Sequence, residues 1–194
     1  MVLMKKIITF LTILMLSCAG IFAQEVDGDI PDGASFVFDG FENGNYWIWA
    51  GFDWHQYGDF CYASGANISR EWASEGSHSL EMTIDEMPPD AKKAGIWFYD
   101  GTNDMSGSKY IVMDFYNPED ITYYIDIAIQ ATSGWNWCDL GSFALPKGEH
   151  HVVLSMEKFT ERLYDVKRVL IYNNTAGAYP KDAHFFVDNI RLIK

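Results

Sequence analysis

Residues 121–130 restrict the fold more than any other stretch of the chain. Side chains there alternate without interruption between an apolar set, Ile121, Tyr123, Ile125, Ile127 and Ile129, and a mixed set, Thr122, Tyr124, Asp126, Ala128 and Gln130. Successive side chains of a strand point to opposite faces, whereas a helix would scatter the isoleucines around its circumference. The segment therefore reads as a strand with one face in a core and the other carrying a ring, a carboxylate and an amide in a line. The pattern repeats from Ser35 onward. Strands are expected at 36–41, 46–52, 66–69, 79–84, 95–99, 110–116, 122–130, 137–144, 150–155, 169–172 and 184–193, with one helical turn at 156–164. Between them stand Pro88-Pro89, Asp100-Gly101, Asn117-Pro118, Pro146-Lys147-Gly148 and Asn173-Asn174, which are turn chemistry. So many short strands cannot remain one flat sheet, and the expected fold is all-β, a two-sheet antiparallel β-sandwich.

Residues 1–23 stand apart. Lys5 and Lys6 precede an apolar run over 7–16 and small residues up to Ala23, the layout of a secretory signal peptide. The run is too short to cross a bilayer as a helix. The expected organisation is a signal peptide at 1–23, a flexible acidic leader at 24–34 and one sandwich domain at 35–194. The expected location is secreted, extracellular or periplasmic. Cys18 leaves open a lipid anchor in place of simple cleavage. Removing Lys5 and Lys6 takes the formal net charge from −13 to −15, which opposes binding to nucleic acid and to anionic membranes. Cys61 and Cys138 remain in an oxidising compartment. They are either a disulfide or two buried thiols, and their spacing decides neither.

Seven tryptophans and eleven tyrosines exceed what the core of one sandwich has to hide. Sugars offer apolar C–H faces rimmed by hydroxyls, so a saccharide cleft combines exposed rings with a few hydrogen-bonding side chains. Tyr124, Asp126, Gln130 and Trp137 are the leading candidates, followed by Trp97 and Tyr99, which alternate with Ile96 and Phe98, and by Trp54 and Trp135 in loop-like segments. Core packing is an equally good reading of any one of these rings. Arg168 and Tyr172 alternate with Val169 and Ile171 and border the same face, although Arg168 reads better as a charge paired with a carboxylate. His150-His151 is a weak metal signal, because neighbours in a strand face opposite ways.

Four short motifs, in order, carry a family resemblance: Phe38-Asp39-Gly40-Phe41-Glu42-Asn43-Gly44, Ala73-Ser74-Glu75-Gly76-Ser77-His78-Ser79-Leu80, Leu145-Pro146-Lys147-Gly148-Glu149-His150, and Phe186-Val187-Asp188-Asn189-Ile190-Arg191-Leu192. Together they resemble the carbohydrate-binding modules of the galactose-binding-like jelly-roll group, family 11 and related calcium-containing modules among them. The resemblance implies a jelly roll that binds polysaccharide or oligosaccharide of the β-linked plant type and accompanies glycoside hydrolases. It also implies a structural calcium ion held by the side chains of Glu42 and Asp188, with a carbonyl from Ser77 or His78 and Asp39 as a weaker ligand. Calcium takes six to eight oxygens, which carboxylates and carbonyls from distant segments supply. The competing reading is that Glu42 and Asp188 cap turns by accepting backbone N–H groups.

A catalytic reading has less support. Sandwich glycosidases place paired carboxylates in a Glu-x-Asp-x-x-Glu strand, and that run does not occur; neither does a nucleophile elbow, a His-Glu-x-x-His or a phosphate loop. A lyase using Tyr, His and Arg, and a structural or adhesive surface protein, are the alternatives.

Overall fold

The computed structural model describes residues 24–43, 65–84, 94–173 and 183–194. The signal peptide, the strand expected at 46–52, Trp54 and Cys61 lie outside the described residues. Turn chemistry and strand ends coincide at several points. Strand β6 (Tyr110–Asn117) stops before Pro118, and β8 (Asn136–Leu145) gives way at Pro146-Lys147 to β9 (Gly148–Ser155). The other strands are β1 (Gln24–Val26), β2 (Ser35–Asp39), β3 (Gly65–Ser69), β4 (Ser79–Ile84), β5 (Ala94–Asn103), β7 (Tyr123–Ala131), β10 (Val166–Asn173) and β11 (Ala183–Ile193). The expected helical turn is a 3₁₀ helix, Glu157–Asp165. Two departures from expectation have physical causes. Asp100-Gly101 does not break its strand, because β5 runs on alongside β10 as far as the pairing of Asn103 with Val166. The leader is not loose at its start: β1 adds to the edge of β9 through Gln24–Leu154, Glu25–Val153 and Val26–Val152, and Val26 packs against the core.

The strands form two antiparallel sheets. The larger has the order β1-β9-β6-β11-β4-β3, with β2 also pairing β11; the smaller has the order β5-β10-β7-β8. This is the expected jelly-roll sandwich. Strand β11 changes neighbour along its length, pairing β4 through 183–187 and β2 through 190–193, and a bulge separates the two stretches on its β6 side. Asn189 takes φ +48° at that bulge. The irregularity re-aims Asp188, as bulges commonly do for a side chain.

Ile125, Ile127 and Ile129 of β7, Val169 and Ile171 of β10, and Cys138, Leu140, Phe143 and Leu145 of β8 face inward from the smaller sheet. They meet Met113, Phe115, Val152, Leu154, Phe185 and Val187 of the larger one. Phe115 packs edge-on to Phe143 at 5.3 Å, and Tyr123 meets Phe185 at 5.3 Å. Cys138 is buried here and bridges to no described residue. Ile127 is fully buried between the sheets, so Ile127→Ala is expected to cost about 2–5 kcal/mol in urea unfolding through lost burial and the cavity left behind. A cost under about 1 kcal/mol would contradict this packing.

Candidate functional site

Because β7 and β10 spend one face on the core, their other residues line the outer face of the four-stranded sheet. The register orders that face into rows. Arg168 on β10 lies opposite Gln130 on β7, which lies opposite Trp137 on β8; Leu170, Ala128 and Asp139 form the next row, and Tyr172, Asp126 and Ser142 the one after. Tyr124 closes the line beside Ala144. On the far side of β10, Trp97 lies opposite Leu170 and Tyr99 opposite Arg168, so the backbone register brings both to the same rows.

Among the residues whose burial is described, three rings on this side are exposed: Tyr124 at 53%, Trp135 at 42% and Trp137 at 42%. Trp135 sits in the β7–β8 turn with φ +53°, its N–H donating to the Thr132 carbonyl at 3.0 Å. The turn is tied down by Thr132 N–H to the Asp165 carbonyl at 2.7 Å and by Asn136 Nδ2 to Thr132 Oγ1 at 2.6 Å. Trp137 leans on Tyr172, with ring centroids 6.2 Å apart. Arg168 places its guanidinium 4.6 Å from the Trp135 ring centroid and donates from Nη1 to Gln130 Oε1 at 3.2 Å. It is thus a cation stacked on an indole and bonded to an amide, a role that sequence reasoning set below pairing with a carboxylate. Its alternation with Val169 and Ile171 was the signal for its face. Asp126 belongs to the row of Tyr172 but is only 5% exposed, so it lies beneath the surface rather than on it. From Tyr124 to Gln130 is six strand steps, about 20 Å at roughly 3.3 Å each. That length accommodates several sugar rings end to end.

The residues put forward for calcium also converge, on the turn at 73–78. Asp39 Oδ1 accepts the Phe41 N–H at 2.8 Å, and Phe41 (φ +57°) is buried, which turns Glu42 back toward that turn. Glu42 Oε1 accepts the N–H groups of Ser77 at 2.7 Å and His78 at 2.8 Å, while Oε2 meets Ser77 Oγ at 3.0 Å and His78 Nδ1 at 3.2 Å. Asp188 Oδ2 accepts from Ser74 N and Glu75 N, and Oδ1 accepts from Asn189 N at 2.7 Å. Burial pushes the Asp188 carboxyl up, against the pull of those backbone N–H groups. Gly76 takes φ +72° with the Glu42 carboxylate where a Cβ would stand. The donor set fits hydrogen bonding better than calcium, since both Glu42 oxygens face N–H and O–H groups where a cation would need bare lone pairs. Among the described residues no group of three or more His, Cys, Asp or Glu is placed to hold a metal.

Comparison with known proteins supports the fold and no more. No family model and no curated protein matches the chain. Solved structures do. CBM27-1 of Caldicellulosiruptor saccharolyticus, in complex with mannohexaose, is 14% identical with TM-score 0.57, over 84% of this chain and 98% of that one. The family 11 carbohydrate-binding module of the cellulosomal cellulase Lic26A-Cel5E of Clostridium thermocellum is 16% identical with TM-score 0.54, over 84% and 96%. A non-crystalline cellulose specific module, CBM28, is 16% identical with TM-score 0.50, over 66% and 80%. The chain is thus similar in fold to the β-sandwich carbohydrate-binding modules.

Hydrogen bonds from Ser77 N–H, then from the His78 side chain and backbone, hold the Glu42 carboxyl down to about 2 from its ordinary 4.5. A folded-state pKa below the unfolded one stabilises fully above the unfolded value and is lost as pH falls through the folded value. The melting-temperature gap between wild type and Glu42→Gln should therefore be widest above pH 4.5 and close toward about pH 2. A gap constant across that window would contradict the clamp.

Proposed function

We propose that this chain is an exported, non-catalytic carbohydrate-binding module that holds a β-linked polysaccharide along the outer face of its four-stranded sheet. One observation carries the reading: Tyr124, Trp135 and Trp137 are exposed along one face, with Gln130, Arg168, Asp139 and Ser142 in the same rows. Rings stack on the C–H faces of pyranose units, and amide, hydroxyl and guanidinium groups read the hydroxyl rim. The similar modules add support through their fold, and one of them was solved with mannohexaose. Work alongside glycoside hydrolases follows from the same reading.

Trp137→Ala is expected to weaken retention on β-glucan, xylan or mannan in affinity gels by about tenfold or more with the fold intact, the scale of a lost ring contact with its buried area. Retention unchanged on all three, or release of cleaved product by the wild type, would overturn the assignment. We further infer that the 73–78 turn is held by hydrogen bonds alone. Adding calcium after chelation should leave the melting temperature within about 1 °C, because an ion binding only the folded state would raise it. A rise of several degrees would instead establish the ion.

A further inference from the structure

A pocket of about 280 Å³ lies across the molecule from the aromatic rows, where the 70–78 turn passes over the outer face of the larger sheet. One wall is Trp72. Its ring stacks over Tyr116 at 5.6 Å and leans on Phe186 at 6.3 Å, and its indole N–H donates to Glu149 Oε1 at 3.0 Å. The other wall is the β1–β9 edge, where Asp27 Oδ2 meets His150 Nδ1 at 2.8 Å and Oδ1 accepts the His151 N–H at 3.0 Å. Asp114 also lines the pocket, fixed by Ser74 Oγ at 2.7 Å and Asn189 Nδ2 at 2.9 Å.

Acceptors outnumber donors in this space. An ionised carboxylate offers about four lone-pair sites. Among the described residues Glu149 receives one hydrogen bond and Asp27 two. His150 holds Asp27 Oδ2 through Nδ1, and its Nε2 is out of reach of solvent, so its part is to position Asp27. The complement of such a lining is a compact ligand rich in O–H donors with an edge that tolerates an indole. The volume is at the small end for ligand cavities, enough for one ring and not for a chain.

We propose that this pocket is a second saccharide site, taking a single neutral pyranose ring or chain-end sugar through Glu149 and Asp27 beside Trp72. Only the ligand class rests on the carbohydrate reading above; the two sites share no residue. Two such sites on opposite sheets would let one module bridge a chain and a chain end.

The test titrates the signal-free chain with D-glucose, D-mannose, D-xylose and D-galactose while following the ¹⁵N indole resonance of Trp72, assigned through Trp72→Phe. A saturable shift with at least one sugar is expected, about tenfold or more weaker in Glu149→Gln and in Asp27→Asn, since each removes a charged acceptor. The shift should persist in Trp137→Ala. The backbone amide spectrum confirms that each variant is folded. Absence of any shift, a shift lost in Trp137→Ala, a titration unchanged from the wild type in both carboxamide variants, or a response to magnesium or methylamine instead of sugar would each overturn the second site. None of these outcomes bears on polysaccharide retention through Trp137, so the two readings fail separately.

Discussion

Burial of one face of the four-stranded sheet is the constraint on which the rest depends. Ile125, Ile127, Ile129, Val169 and Ile171 are fully buried against the larger sheet, and a strand cannot send those side chains inward without sending their neighbours outward. A one-residue slip would reverse every position, so the hydrophobic term fixes which face looks out. Tyr124, Gln130, Trp137 and Arg168 thus stand on strands whose other side is locked in the core. Binding to such a platform requires little ordering of the protein, which is where recognition of a stiff polysaccharide gains most.

At the other end of the sandwich, two carboxylates hold a turn. Asp188 is delivered by the β11 bulge and Glu42 by the reversal at Phe41, and both accept N–H groups of residues 74–78. Those N–H groups would otherwise lack strand partners, and a carboxylate accepting several of them is a strong, charge-assisted arrangement. The same turn carries Trp72 over Tyr116 and Phe186, so the clamp that orders the turn also shapes the pocket on the larger sheet.

Much of this was legible in the sequence, for one reason. Period-two alternation reports both strand and face, and it located β7 and β10 with the sides that their residues take, while β8 was legible as a strand without its faces. Asp188 and Glu42 could be placed together through motif order, though not the identity of what they hold. What stayed hidden depends on contacts between distant segments. β1 is too short to announce itself and exists because β9 offers an edge. Asp126 keeps the right parity, but alternation does not report that its surroundings cover it. His150 and His151 are neighbours in a strand, yet both imidazoles border one pocket and both come near one carboxylate, Asp27, at the sheet edge.

The central claim is that the outer face of the four-stranded sheet is where polysaccharide lies. Amide and side-chain chemical-shift mapping with a soluble β-linked hexasaccharide tests it most directly. Perturbations are expected at Tyr124, Gln130, Trp135, Trp137, Arg168 and Tyr172 and their strand neighbours, running along β7 and β8, with any second set limited to the Trp72 pocket. Perturbations absent there, or gathered on the larger sheet alone, would contradict it.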